Sequence, residues 1–382
     1  MRIVLASAHP YLPQIVGGAQ RSTHDLATDL GIRGHRVSIL AGLTGAGWTG
    51  MSGRVRLKLG GGQLVRDDRL GYPVHRGWFP PGAVAELVAR EAPDVALVQS
   101  GQPVPLARGF LAAGVPVVLY LRNVEAEDFG GDASELGPVH TIANSAFTAD
   151  WYARNHGLAA TVIHPTFRPE AYRTRTSRQV VTFINPHPLK GLHTAIGIAR
   201  ACPDIPFLFV DGWGLDPAEH ERRDAALAGL PNVTLVPRTN DMRDVYGRTA
   251  ILLVPSLWQE AFGRVAAEAQ FSGIPVLASR CGGLPEAVGP GGLLVDPDAP
   301  PDVWVAALRA IWDDAARYGS LSAAAERHAA RPALDRTVQM DAVAAVLEAA
   351  VAAHRRGGRE QRGPGPVSDG FPTAAVPGEG AP

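Results

Sequence analysis

The chain has 382 residues, 46% of them apolar, and a net charge of −1, the composition of a soluble globular protein long enough for two cores. So small a net charge excludes the electrostatic footprint of a general nucleic-acid binder, and no nucleic-acid partner is expected. Two cysteines, Cys202 and Cys281, are too few for a disulfide framework or a zinc cluster, as expected in a reducing compartment.

The first apolar run, Ile3–Ala6, is too short for a signal peptide and reaches His9 and Pro10 at once. No stretch approaches the length needed to cross a bilayer. The expected location is cytoplasmic, with peripheral membrane contact left open. Further β-branched runs follow at Arg36–Ala41, Val95–Gln99, Val115–Leu121, Thr141–Asn144 and Thr161–His164, alternating with helical patterns such as Gln20–Leu30 and Ser145–Asn155. That alternation predicts an α/β protein with a parallel sheet flanked by helices. Pro165–Arg178 lacks periodicity and reads as a linker. The scheme then repeats at Val180–Ile184, Phe207–Val210, Val233–Val236, Ile251–Val254 and Pro275–Ala278. Residues 1–165 are therefore expected as one Rossmann-like domain and 166–336 as a second, followed by an Ala-rich helix over 337–354. Residues 355–382, rich in Gly and Pro, are expected as a disordered tail. Two doubly wound units face a shared ligand with the carboxyl ends of their strands.

Three segments carry the chemistry. After the first strand, Pro13-Gln14-Ile15-Val16-Gly17-Gly18-Ala19 opens a helix, and Gly17 and Gly18 let backbone amides close over a phosphate or a sugar. Lys58 and Lys190 are the only lysines, and Lys190 falls in Pro188-Leu189-Lys190-Gly191 just after a predicted strand. The third block runs Pro255-Ser256-Leu257-Trp258-Gln259-Glu260-Ala261-Phe262-Gly263-Arg264-Val265-Ala266-Ala267-Glu268, with Gly282-Gly283-Leu284-Pro285-Glu286 beyond it. A helix is expected to start near Phe262, with Gly263 in its first turn opening the free amides to an anion. Glu260 and Glu268 then stand roughly 12 Å apart along that helix, a span that suits one carboxylate on a sugar and one on a ribose. Carboxylates are natural acceptors for paired hydroxyls. Two Glu at this spacing alone carry little weight. The surrounding block is what gives them meaning.

This block resembles the Glu-x7-Glu signature of the retaining GT-B glycosyltransferases of family four, and the resemblance extends to about residue 350. It implies a GT-B fold of two Rossmann-like, doubly wound parallel-sheet domains facing across a cleft. It also implies a hexosyltransferase using a UDP- or GDP-linked sugar, with retention of anomeric configuration and without a metal. No cofactor is implied beyond the nucleotide sugar as co-substrate. The acceptor is a small molecule, a glycan or a lipid-linked compound. Carried over, Glu260 contacts the donor sugar, Glu268 the ribose and Lys190 the diphosphate. Gly17, Gly18, Asn185, Phe262, Gly263 and Arg264 complete the donor site, and Arg122 joins Glu260 and Lys190 in the catalytic set. Gly282, Gly283, Pro285 and Glu286 match the family's Gly-Gly-x-Pro-Glu.

Two positions depart from the family pattern. Asn185 stands where many relatives carry an arginine, five residues before the lysine. Arg122, followed by Asn123, stands where relatives commonly carry a histidine, and a guanidinium is no base at neutral pH. Phosphate binding must then lean on Lys190, with His187 or Arg264 as additional candidates. The expected acceptor loops are Gly42–Gly62, Trp78–Pro81 and Arg122–Gly131, with the donor base read near Arg238–Met242. Two rival readings follow. One is a non-catalytic nucleotide-sugar-binding protein. The other is an NAD-dependent oxidoreductase, suggested by Gly45-Ala46-Gly47-Trp48-Thr49-Gly50. That motif is expected in a mobile loop, because it does not directly follow a strand and Val55–Leu59 beyond it alternates like one. Asp296-Pro297-Asp298 reads as a surface turn and not as a metal site.

Overall fold

The computed structural model describes residues 1–360. Two sheets organise the chain. The first contains β1 (Arg2–Pro10), β2 (Arg36–Gly42), β3 (Val65–Asp67), β4 (Val74–Gly77), β5 (Val95–Val98), β6 (Val117–Leu121), β7 (His140–Ala143) and β8 (Thr161–Val162). Their order is β3-β4-β2-β1-β5-β6-β7-β8, parallel throughout except for the antiparallel β3–β4 edge. The second sheet contains β9 (Val180–Ile184), β10 (Phe207–Val210), β11 (Val233–Val236), β12 (Thr249–Val254), β13 (Val276–Ser279) and β14 (Gly292–Val295). Its order is β11-β10-β9-β12-β13-β14, all parallel.

Both sheets are buried on two faces, which is why their strands read as continuous apolar runs. In β1, Val4 and Ala6 pack with Val98 and Phe110, whereas Ile3 and Leu5 pack with Leu26 and Leu30 on the opposite face. In β12, Ile251 and Leu253 face Phe183 and Trp304, while Leu252 and Val254 face Phe262 and Ala266. Strand order reverses beside β1 in the first sheet and between β9 and β12 in the second. Such switch points leave crevices at the carboxyl ends of the strands.

Several expectations are corrected. The segment Val55–Leu59 is not a strand; it lies in helix α2 (Gly47–Gly60). The Gly45-Ala46-Gly47 motif therefore closely follows a strand and opens a helix. Basic and apolar residues alternate in Val55–Leu59, but burial of Gly50 and Gly53 sets the helical face. A side chain at Gly50 would meet the Thr44 carbonyl at 2.3 Å. Pro165–Arg178 is more than a linker: Phe167 is fully buried, 5.6 Å from Phe271 and 6.2 Å from Phe262 between ring centroids. The expected C-terminal helix runs Arg336–Glu360, so residues 355–360, expected in the tail, are helical. The rest of the expected disordered tail, 361–382, lies outside the described residues.

That helix returns the chain to the first sheet. Met340, Val343, Leu347 and Ala350, spaced for one helical face, join Ile3 and Leu5 in a single core. Its start is fixed by Asp29, buried at 3% exposure, which accepts hydrogen bonds from Arg336 and Arg168. The Gln339 amide donates to the carbonyls of His164 and Pro165. The two sheets are thereby tied at their ends as well as through the chain between them.

Candidate functional site

A cleft of about 460 Å³ lies between the carboxyl ends of the two sheets, and residues from both line it. On one wall, β12 ends at Val254 and releases the loop that carries Trp258 and Glu260. The Leu257 and Trp258 amides donate to the Leu189 carbonyl at 3.0 and 2.9 Å, which clamps this loop to the turn after β9. The clamp depends on Gly191: its φ is +83°, and a Cβ there would sit 1.8 Å from the Pro255 carbonyl oxygen. Only glycine fits such an approach. As a result Lys190 Nζ lies 2.6 Å from Glu260 Oε1, although seventy residues separate them.

Glu260 is fixed from behind as well. The Gly283 amide donates to the Glu260 carbonyl at 2.6 Å, and a Cβ on Gly282, at φ +55°, would collide with that carbonyl at 2.3 Å. The Gly-Gly pair thus serves the backbone of the glutamate. The Ser256 hydroxyl donates to Glu260 Oε1 at 3.1 Å. The Cys281 thiol donates to the Ser256 and Trp258 carbonyls; burial, with the Glu260 charge next, pushes its pKa up to about 11. Lys190 also stacks on aromatic faces, 4.5 Å from the Trp213 centroid and 5.8 Å from Trp258. Sequence reasoning missed Trp213, Trp258 and Ser256. Trp213 follows the end of β10 in Asp211-Gly212-Trp213, a strand-end position that could have marked it.

Glu268 sits deeper, at 8% exposure, inside the helix Arg264–Gln270. That helix begins two residues later than expected, with Gly263 as its N-cap at φ +96°. Arg264 Nε is 3.3 Å from Glu268 Oε1, and the Tyr246 hydroxyl donates to Glu268 Oε2 at 3.2 Å. Arg264 also donates to the Thr166 carbonyl and the Tyr172 hydroxyl. Burial opposes its charge, but Glu268 and Tyr172 outweigh that and hold its pKa above the usual arginine range. Phe262 lines the cleft, yet its ring is 2% exposed and packs 5.2 Å from His164. Asn185 adopts φ +65°, a region Asn tolerates, and its Oδ1 accepts from the Trp213 amide at 2.8 Å. His187 is occupied locally, accepting from the Leu189 amide at 3.2 Å.

The opposite wall is built by the loop after β1 and the end of β6. Gly17 caps α1 (Gly18–Ile32), and a Cβ on Gly18 would lie 3.3 Å from Arg264 Cδ across the cleft. Arg122 donates to the Thr23 hydroxyl at 2.9 Å and to Gln99 Oε1 at 2.5 Å, with its guanidinium 5.0 Å from the Tyr120 centroid. Burial lowers its pKa. The segment expected to read the donor base lines the cleft with Arg238, Thr239, Asn240 and Met242, and the Arg238 side chain spans the cleft to donate to the Val16 carbonyl at 2.7 Å. Arg122, Gly17, Gly18, Asn185, Lys190, Glu260, Phe262, Gly263, Arg264 and Glu268 all line this one cleft. Glu286 does not. It accepts from the Ala146 amide at 2.8 Å and contacts His164 at 2.5 Å, latching the helix Ala146–His156 to the second sheet.

Both sheets match known families. The family model described as Glycosyltransferase Family 4 covers residues 16–171, and Glycosyl transferases group 1 covers residues 188–314. The chain thus carries a Glycosyltransferase Family 4 domain in its first half and a group 1 glycosyltransferase domain in its second. Among the relatives of this chain are two proteins named D-inositol 3-phosphate glycosyltransferase. That of Mycolicibacterium vanbaalenii is 34% identical over 224 residues, 51% of this chain and 48% of its own. That of Corynebacterium kroppenstedtii is 44% identical over 100 residues, 25% of this chain and 22% of its own. The chain thus matches about half the length of these curated relatives, or less. Solved structures share the fold. Anabaena Alr3699/HepE in complex with UDP and glucose superposes with a TM-score of 0.72 at 20% identity, over 91% of this chain and 99% of that one. WaaG, a glycosyltransferase involved in lipopolysaccharide biosynthesis, does so with 0.66 at 15% identity, over 90% and 99%. The fold is GT-B, and both matching family models are of glycosyltransferases, which leaves the oxidoreductase reading without support.

Proposed function

We propose that the chain transfers a hexosyl unit from a UDP- or GDP-linked sugar to a hydroxyl acceptor with retention of anomeric configuration. The observation that carries this reading is the Lys190–Glu260 contact, at 2.6 Å, in the cleft between the sheets. Without ligand, the ammonium and the carboxylate neutralise each other. With a nucleotide sugar bound, Lys190 turns to the diphosphate and Glu260 accepts hydrogen bonds from sugar hydroxyls, while Glu268 takes the ribose. Charge-assisted hydrogen bonds of this kind fix both ends of a polyanionic donor.

In the transfer itself, the bond from the anomeric carbon to the diphosphate oxygen breaks. A bond to the acceptor oxygen forms on the same face, and the acceptor proton passes to the departing diphosphate. No protein nucleophile is required. Lys190 and the amides of the Gly17-Gly18 loop stabilise the negative charge as it develops. The UDP and glucose complex of the similarly folded Alr3699/HepE supports a nucleotide-sugar donor. A cytoplasmic site of action fits the two free, buried cysteines, and among the described residues no helix is long and apolar enough to cross a membrane.

Thermal unfolding with UDP, GDP, ADP and NAD tests the donor assignment. The true nucleotide should stabilise the chain by about 2.7 kcal/mol at about one hundred times its Kd, and stabilisation by NAD alone would sink the proposal. Slow hydrolysis of the matching nucleotide sugar, abolished by Glu260→Ala, separates a transferase from an inert binding protein. A donor panel with cell extract as acceptor, read by mass spectrometry, then identifies the acceptor.

A further inference from the structure

Helix α2 turns an unusual face to solvent. Of the fourteen large apolar side chains exposed among the described residues, six lie on this helix or in the loop after β4: Trp48, Met51, Val55, Leu59, Trp78 and Phe79. At ~100° per residue, the four on α2 fall within an arc of roughly 80°. Trp48 is 74% and Leu59 82% exposed. The helix is held to the body by its opposite side, where Gly50 and Gly53 are its only buried residues. Arg54 joins the two apolar groups, its guanidinium 5.9 Å from the Trp78 centroid.

Charge decides what covers this face. The α2 sequence, GWTGMSGRVRLKLG, contains Arg54, Arg56 and Lys58 and no acidic residue. On the helical wheel, Arg54 and Lys58 flank the apolar arc on one side and Arg56 on the other. The nearby carboxylates are already engaged: Asp67 pairs with Arg69 at 2.7 Å and Asp68 with Arg66 at 2.9 Å. A Trp- and Leu-bearing stripe bordered by cations matches the layered chemistry of an anionic bilayer, with an apolar interior and a negative headgroup plane. A second copy of this face would bring like charges together.

We propose that α2, with Trp78 and Phe79, docks the protein on an anionic lipid surface. The placement bears on the cleft. Gln14, three residues before Gly17, donates to the Thr44 carbonyl and hydroxyl and to the Ala46 carbonyl. The start of α2 is thereby tied to the loop that forms the N-terminal wall, and a docked molecule presents that loop close to the membrane. The docking surface stands on α2 and the loop after β4 and does not depend on the donor chemistry proposed above.

Co-sedimentation of the full chain with vesicles tests it. Vesicles of about 7:3 phosphatidylcholine to phosphatidylglycerol should bind at least ~10-fold more protein than pure phosphatidylcholine, and less as salt rises. The double change Arg54→Gln and Lys58→Gln should weaken partition by roughly five-fold per residue, and Trp48→Ser with Leu59→Ser should abolish it. Equal partition onto both vesicle types, or binding untouched by these substitutions, overturns the proposal. So does a wild-type dimer in sedimentation velocity that Trp48→Ser with Leu59→Ser dissociates while no vesicle is bound. The thermal shift with UDP or GDP serves as the control. Variants that keep it are folded, and its absence from the wild type with both nucleotides counts against the donor reading and not against the docking surface.

Discussion

The two walls of the cleft hold their charges in opposite ways. On the C-terminal wall both glutamates meet a cation: Lys190 meets Glu260, and Arg264 meets Glu268. On the N-terminal wall Arg122 is equally enclosed, yet its hydrogen-bond partners are the neutral Thr23 and Gln99. Each of these pairs is already neutral, so a ligand must replace them with contacts of its own. The second carries an uncompensated charge whose burial lowers its pKa, and a ligand that brings negative charge relieves it. The donor side is therefore preorganised, and the N-terminal side is poised for a partner that the protein does not supply.

The largest expected effect breaks the paired wall. Arg264→Met leaves the Glu268 carboxylate buried without its cation, and loss of one partner of a buried pair costs about 3–5 kcal/mol. Urea denaturation should show that loss; a change below about 1 kcal/mol would mean that Tyr246 and solvent suffice for Glu268. Next comes Glu260→Ala, which removes the group assigned to the donor sugar. Transfer should fall by roughly 10²–10³-fold in initial-rate assays, with nucleotide affinity changed far less. A large loss of UDP affinity with an unchanged maximal rate would contradict that division of labour.

A smaller effect concerns the latch between the halves. The half-buried Glu286 carboxylate is penalised by burial, but its bond to His164 outweighs this and holds its pKa below the ordinary 4.5. A depressed carboxylate pKa contributes stability above the unfolded value that is lost as pH falls through the folded one. Glu286→Gln should cost about 1–2 kcal/mol near neutrality, and the gap to wild type should close as pH drops below about 4.5. Melting curves across that range decide it. The smallest stability effect is expected at Arg122. Arg122→Gln gives up two hydrogen bonds but also an unpaired buried charge, so stability should stay within about 1 kcal/mol of wild type. Activity should nevertheless drop. A loss as large as that of Arg264→Met would show that Arg122 is structural.

Much of this was legible before folding. Strands such as Val180–Ile184 and Phe207–Val210 emerge at the expected residues because the strands of a sheet buried on both faces run almost continuously apolar. The short β3 and β4 carried no such signal: each spans four residues or fewer, and their sequences, VRD and VHRG, mix charge with apolar groups. Helix α2 was misread because Val55–Leu59 alternates, and only its packing through Gly50 shows which period holds. Glu286 matched a motif but proved to be a latch, since motif spacing says nothing about which partner a carboxylate finds.

The sequence by itself determined the two repeating α/β units and the residues that gather in the cleft, because periodicity and local motifs are properties of neighbours along the chain. Tertiary structure decided the rest. It set Lys190 against Glu260 across seventy residues, gave Arg264 rather than solvent to Glu268, and left Arg122 with neutral partners. It also exposed the apolar face of α2. Each of these depends on which surfaces meet, and long-range contacts of that kind are settled by packing and burial rather than by spacing.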